Sequence, residues 1–248
     1  MKRSYDGKTA LSADLFPRSS CVSIDRAMTR TRAGHRAVIF DLDGVLVSSA
    51  PLHWEAFRRT FAEEGRAFPW EEYLELGIGA SRDEVIRRVF GDIPAARMGR
   101  LMEAKERHVR ECLKSGGLEP IPGSLEFVQR LRSSRVRTAV ATASRTPQLL
   151  LEAVGAASLF DAIVGRHEVE RSKPHPDLYL RAAERLGLAA EDCLVIEDSP
   201  VGIEAGLSAG MTVLAITTTE DPEKLTRAHA VYGGCQDIPL EDWIRTAP

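Results

Sequence analysis

The sequence predicts an α/β protein: a parallel sheet covered by helices on both faces, with a small all-helical segment inserted after the first strand. Short apolar runs recur at residues 38–40, 139–141 (at the end of a strand from Val136), 162–164, 194–196 and 213–216, separated by stretches of helical spacing. Uninterrupted apolar strands of this kind belong to a sheet buried on both sides. Between Pro51 and Gly117 there is no strand-like alternation, only helical spacing and breaks. Acids or hydroxyls follow four of the runs at once, at the strand ends where open α/β sheets bind ligands.

The elements follow in order. The first run ends in Asp41-Leu42-Asp43-Gly44. After Ala50-Pro51, the residues Leu52, Phe57 and Phe61 share one helical face, with Trp54 nearby, and the chain breaks at Gly65 and at Phe68-Pro69-Trp70. Ser81-Arg82-Asp83-Glu84 reads as an N-cap with acids in the first turn, ahead of Val85, Ile86, Val89 and Phe90. Residues 101–113 form a further amphipathic helix, stopped by Ser115-Gly116-Gly117. The Ala-Pro entry and the Gly-rich exit read as paired hinges. From Pro120 onward, strand and helix alternate, with helices at 123–132, 147–154, 176–188 and 200–209 between the remaining apolar runs. Leu178, Ala182 and Leu186 mark the buried side of the third of these, and Ser199-Pro200 supplies an N-cap and first-turn proline for the fourth. The expected division is a core of residues 36–51 and 119–248, with a helical cap at 52–118.

Residues 1–35 differ in kind. They are rich in Ser, Thr and Arg and lack apolar periodicity, so a disordered extension is expected. A transit peptide is disfavoured by Asp6, Asp14 and Asp25, and a start at Met28 stays open as well. Over the whole chain of 248 residues, a net charge of −3 and a pI near 6.1 argue against nucleic-acid or anionic-membrane partners, which need a basic face. No apolar run approaches the length of a membrane span. Cys21, Cys112, Cys193 and Cys235 lie far apart with no Cys-x-x-Cys, which suits a reducing cytoplasm better than a disulfide framework or a zinc site. Cys193, opening an apolar strand, reads as a small buried hydrophobe.

The chemistry concentrates in four segments. Val38-Ile39-Phe40-Asp41-Leu42-Asp43-Gly44 drives two carboxylates to a strand end, where they repel each other. A divalent cation and a phosphoryl substrate are the usual means of offsetting that repulsion, although an Asp-Gly turn alone is the plainer alternative. Thr138-Ala139-Val140-Ala141-Thr142-Ala143-Ser144 is a strand ending in hydroxyls. Ser172-Lys173-Pro174-His175-Pro176 holds a lysine in a proline-stiffened loop, and Cys193-Leu194-Val195-Ile196-Glu197-Asp198-Ser199 is a strand ending in paired acids.

Together and in this order, the four segments resemble the haloacid dehalogenase superfamily of aspartate-nucleophile phosphotransferases, over residues 36–215. The resemblance implies a Rossmann-like core with strand order 5-4-1-2-3, which makes the strands carrying Asp41 and Asp198 neighbours at the switch point. It implies Asp41 as nucleophile, forming an aspartyl phosphate, and Asp43 as general acid/base for the leaving oxygen and the acceptor. Thr142, with Ser144 in the same pocket, would bond phosphoryl oxygens, and Lys173 would supply positive charge. Mg²⁺ would be held by Asp41, the backbone carbonyl of Asp43, Glu197 and Asp198.

Two departures narrow the class. Dehalogenases of this superfamily lack the second acid of the first segment, and here Asp43 is present. Phosphonatases need a cap lysine where this chain has Ser81. Ser49, His53, Arg82 and Lys105 resemble hinge and cap residues of the β-phosphoglucomutase subfamily, in which a histidine steadies the acid/base and an arginine holds a distal phosphate. The expectation is a cytoplasmic, monomeric, Mg²⁺-dependent phosphatase of a small phosphorylated metabolite, with a sugar phosphomutase as the alternative and a catalytically idle binding protein as a third reading.

Overall fold

The computed structural model describes residues 34–77 and 80–245, so the expected extension lies outside the described residues except for Gly34 and His35. The elements run β1 (Ala37–Phe40), β2 (Val47–Ser48), α1 (Ala50–Glu63), α2 (Trp70–Leu76), α3 (Arg82–Phe90), α4 (Ala95–Lys114), β3 (Glu119–Pro120) and α5 (Ser124–Ser133). They continue with β4 (Arg137–Ala141), α6 (Pro147–Ala153), β5 (Ala162–Val164), α7 (Asp177–Leu186), β6 (Cys193–Glu197), α8 (Pro200–Ser208), β7 (Thr212–Ile216), β8 (Ala230–Tyr232) and α9 (Leu240–Trp243).

Six parallel strands form the sheet in the order β5-β4-β1-β6-β7-β8. The first five strands of this sheet therefore stand in the expected order, and β8 extends the edge beyond β7. That sixth strand was not expected, because three residues between His229 and Gly233 are too few to show a period. The central strand explains why apolar runs mark this sheet. Along β1, Val38 and Phe40 join the core on one face while Ala37 and Ile39 join the core on the other, all with no exposed surface. Ile39 is level with Ala139 on β4 and Val195 on β6, which brings the ends of all three strands together.

The segment between β2 and β3 contains α1 to α4. β2 and β3 pair antiparallel in a two-stranded ribbon where this segment leaves and returns, an element the sequence reading passed over. Helix α2 was also unexpected, being one short amphipathic stretch after Pro69. The four helices gather an aromatic cluster of their own, with Phe57, Phe61, Phe68, Tyr73, Val85, Ile86 and Leu101 buried. Nearer the sheet, Leu52 and Ala56 of α1 and Val109 and Cys112 of α4 belong to the same core as Val38 and Phe40. The helical layer thus stands on a shared apolar base. Cys112, Cys193 and Cys235 are buried free thiols; burial pushes Cys193 up to about 11, as befits the small hydrophobe expected there.

Phe61 is the keystone of the aromatic cluster, fully buried with ring centroids 4.9 Å from Phe68, 5.0 Å from Phe90 and 5.4 Å from Phe57. Phe61→Ala is expected to destabilise the protein by about 3–5 kcal/mol, because the surrounding rings cannot collapse into the space. Denaturant titration followed by tryptophan fluorescence checks this, since Trp54 and Trp70 pack beside the cluster.

Candidate active site

Asp41 follows β1, Thr142 follows β4, Glu197 ends β6, and Asp198 comes next. All four are buried. Lys173 enters from the loop before α7, and its Nζ lies 2.5 Å from Asp41 Oδ1 and 2.7 Å from Glu197 Oε1. Burial pushes Asp41 up to about 7 in spite of that lysine. Asp198 is likewise raised, by burial first and then by the charges of Glu197 and Asp41. Glu197 moves the other way, because its charged form is held by many donors. Lys173 and the Tyr179 hydroxyl, at 2.8 Å, share Oε1. Oε2 accepts the Asp198 N–H at 2.9 Å, the Ser199 N–H at 3.0 Å and the Ser199 hydroxyl at 2.9 Å.

The turn after β1 carries Asp43. The Thr142 hydroxyl donates to Asp43 Oδ2 at 3.3 Å and accepts the Ser144 N–H at 3.0 Å. Ser144 spends its own hydroxyl accepting the Thr146 N–H at 3.3 Å, in the turn that leads to α6. Asp43 Oδ1 is buried without a hydrogen-bond partner, and burial raises this carboxyl above its ordinary range.

Above it sit the cap residues. Ser49, buried at the start of α1, and Lys105 both favour the charged form of Asp43. Lys105 Nζ donates to His53 Nδ1 at 3.1 Å and lies over the Phe57 ring. An ammonium can only donate, so the neutral His53 ring carries its proton on Nε2. Burial, Lys105 and Arg82 together hold His53 well below its usual range. Burial and Arg82 in turn lower Lys105 to about 8. Arg82 itself pairs with Glu106 at 3.0 Å. Ser49 and Lys105 thus act on Asp43, and His53 and Arg82 join them through Lys105.

Three groups escaped the sequence reading. Tyr179 sits among Leu178, Ala182 and Leu186, and its hydroxyl was invisible within an apolar helix face. Tyr73 is buried on α2, where its phenol is raised by burial and by the charge of Asp43. Thr218 and Thr219, in the loop after β7, reach the Gly44 carbonyl and Asp198.

Asp41, Glu197 and Asp198 can each aim an oxygen into one space, with those atoms within 4.8 Å of one another. The donor set is all oxygen and anionic, with Lys173 set against it, and this fits a hard divalent cation such as Mg²⁺. Such a grouping of acids, hydroxyls and lysine at the switch point of a parallel sheet defines a phosphoryl-group hydrolase. The chain belongs to the haloacid dehalogenase-like hydrolases, whose family profile matches residues 38–216. It is 33% identical over 211 residues to the phosphorylated carbohydrates phosphatase of Thermotoga maritima, covering 79% of this chain and 92% of that protein. A CbbY variant from Rhodobacter sphaeroides, solved with xylulose-(1,5)bisphosphate, superposes with a TM-score of 0.75 at 26% identity, over 85% of this chain and all of that one. A β-phosphoglucomutase from Clostridium difficile gives 0.72 at 26% identity, over 84% of this chain and 94% of that one. Among the described residues, no helix is long and apolar enough to cross a membrane.

Glu197 has a close neighbour that sets a test. A methyl group on Gly202 would lie 1.7 Å from Glu197 Oε1, so α8 approaches β6 only because position 202 has no side chain. Gly202→Ala should destabilise the fold by roughly 1–3 kcal/mol through overpacking and abolish phosphate release. Gly99→Ala, where an added carbon meets nothing within 4 Å, serves as the tolerated control. Thermal melts and phosphate release on both variants distinguish the two sites.

Proposed function

We propose that this hydrolase cleaves the phosphate ester of a small phosphorylated sugar, with Mg²⁺, through an aspartyl phosphate on Asp41. The observation that carries the reading is the unpartnered Asp43 Oδ1, buried beside Asp41 in a carboxyl whose pKa is raised by burial. A protonated acid placed there suits a leaving-group oxygen. An Asp41 carboxylate oxygen attacks phosphorus, the bond from phosphorus to the sugar oxygen breaks, and Asp43 gives its proton to that oxygen. Water then attacks the aspartyl phosphate, Asp43 takes back a proton, and inorganic phosphate leaves with Asp41 restored. Lys173 sets positive charge against the phosphoryl group, and Thr142 with the backbone beside it offers hydrogen bonds. Mg²⁺, when bound, neutralises charge on the phosphoryl oxygens. Asp41, Glu197, Asp198 and the Asp43 carbonyl would hold it in this reading. Glu197 would do so with a carboxylate already shared with Lys173 and Tyr179.

The helical layer supplies specificity. Arg82, Lys105 and His53 line the approach to Asp43, where Arg82 and Lys105 provide cationic charge for an anionic group on the far end of the sugar. Residues 52–118 act as the cap, opening about the β2–β3 ribbon to admit substrate. The same cationic side favours one second reading, a sugar phosphomutase that retains a bisphosphate intermediate. The complete acid set argues against an idle scaffold.

A phosphate-release screen over phosphorylated sugars with Mg²⁺ tests the proposal, run beside transfer of phosphate between positions of glucose phosphate. Release should exceed transfer, EDTA should silence both, and Asp41→Asn should reduce turnover to background with the fold intact. Turnover by Asp41→Asn protein free of deamidation overturns the nucleophile assignment. Dominant transfer selects the mutase.

Lys105 gives a pH dependence. With its pKa lowered to about 8, the ammonium is present below that pH and neutral above it. KM for a phosphosugar is therefore expected to climb as pH rises through about 8, more steeply than kcat falls. Lys105→Met should show a raised KM at every pH and no such limb; steady-state kinetics between neutral and alkaline pH check it.

A further inference from the structure

The loop that leaves β7 crosses back over the acid cluster. Its Thr219 hydroxyl lies 2.5 Å from Asp198 Oδ2 and 3.2 Å from the Asp198 carbonyl oxygen. The neighbouring Thr218 hydroxyl lies 2.5 Å from the carbonyl oxygen of Gly44. Gly44, at φ +84°, belongs to the turn that presents Asp43, and a Cβ there would fall 2.0 Å from Asp198 Oδ2 and 2.7 Å from Thr219 Cγ2. Three chain segments far apart in sequence thus meet here: the turn after β1, the end of β6 and the loop after β7.

A hydroxyl has one proton, and the nearer carboxylate oxygen takes it in a charge-assisted bond. That bond does two things. It engages Oδ2 of the carboxylate that shares a space with Asp41 and Glu197. It also fixes the rotation of the Asp198 carboxylate, which a β6 strand end alone does not set. Thr218 ties the same loop to the backbone next to Asp43, so the aim of Asp198 and the position of the Asp43 turn are coupled through one dipeptide.

We propose that Thr219, braced by Thr218 on the Gly44 carbonyl, is a positioning residue that aims Asp198 at the divalent cation. The proposal rests on the Mg²⁺ reading above and adds a group outside its ligand set. Thr219 is exposed on its outer side, so replacing it does not empty the core. Thr219→Val keeps the branched shape and removes the hydroxyl, whereas Thr219→Ser keeps the hydroxyl and removes the methyl group.

The test is Mg²⁺ affinity by isothermal titration calorimetry on the full chain, in phosphate-free buffer, for wild type and both variants. Circular dichroism melts confirm folding. Thr219→Val should bind Mg²⁺ about 10- to 100-fold more weakly, as losing a partner of a metal-binding carboxylate generally does. Thr219→Ser should stay within about 3-fold of wild type on the same scale. The activity of Thr219→Val should recover in part as Mg²⁺ is raised, at unchanged KM for the phosphosugar. A valine variant that binds as tightly as wild type overturns the proposal, and so does a serine variant as weak as the valine. Wild-type protein that takes up no Mg²⁺ would instead overturn the metal reading itself, and the role of Thr219 with it.

Discussion

Lys173 is set against more negative charge than it can neutralise. Its ammonium touches Asp41 and Glu197, and Asp198 lies in the same buried group. Glu197 is the carboxylate that the protein satisfies, with hydrogen-bond donors on both oxygens, and its pKa falls accordingly. Asp41 and Asp198 are left short, and burial drives both upward. A site built this way is held open for positive charge, because a cation arriving there recovers solvation that the acids lost on folding. The surrounding structure is arranged to bring these acids together. β1 lies between β4 and β6 so that their ends converge, Gly202 lets α8 press against Glu197, and Gly44 lets the first turn pass beside Asp198.

The sequence made the core strands legible for a physical reason. β1, β4, β6 and β7 are buried on both faces over most of their length, so their middles are apolar runs without polar alternation, polar residues falling only at their ends. The candidate site residues stand at the ends of those runs, and position along the chain is therefore enough to bring Asp41, Thr142, Glu197 and Asp198 to one end of the sheet. What stayed hidden lacks any period. β8 and the β2–β3 ribbon are too short to show alternation, and α2 is a single short helix behind a proline. Tyr179 was masked by the regularity of its own helix, since one phenol among leucines and alanines reads as packing. Thr218 and Thr219 sit in a polar loop where sequence offers no reason to prefer one threonine over another. Ser144, in the segment that the pattern marks, also braces that segment, its hydroxyl accepting the Thr146 N–H.

The helical layer and the sheet are less separable than a division at 52 and 118 implies. Leu52, Ala56, Val109 and Cys112 pack into the sheet's own core, while Phe57, Phe61 and Leu101, further along the same helices, pack into the aromatic cluster. α1 and α4 therefore act as two struts with their feet in one core and their heads in another. Movement of the layer as a rigid body is easiest where neither core is disturbed, which leaves the ribbon and the short segments beside it as the compliant region. His53, close to the foot of α1, and Lys105, on α4, lie across this junction from Asp43.

Charge is distributed in opposite senses across that junction. The sheet side is short of positive charge, whereas the helical side carries Lys105, a cation with its pKa lowered to about 8 by burial and by Arg82. Glu106 pairs with Arg82 and not directly with Lys105, whose side-chain partner is the neutral ring of His53. Each side thus holds the charge the other lacks. The attraction between Asp43 and Lys105 spans the gap and partly offsets the burial that raises the carboxyl and lowers the ammonium. Excluding water from this junction strengthens every one of these interactions, so the same burial that strains the isolated groups also couples them to one another.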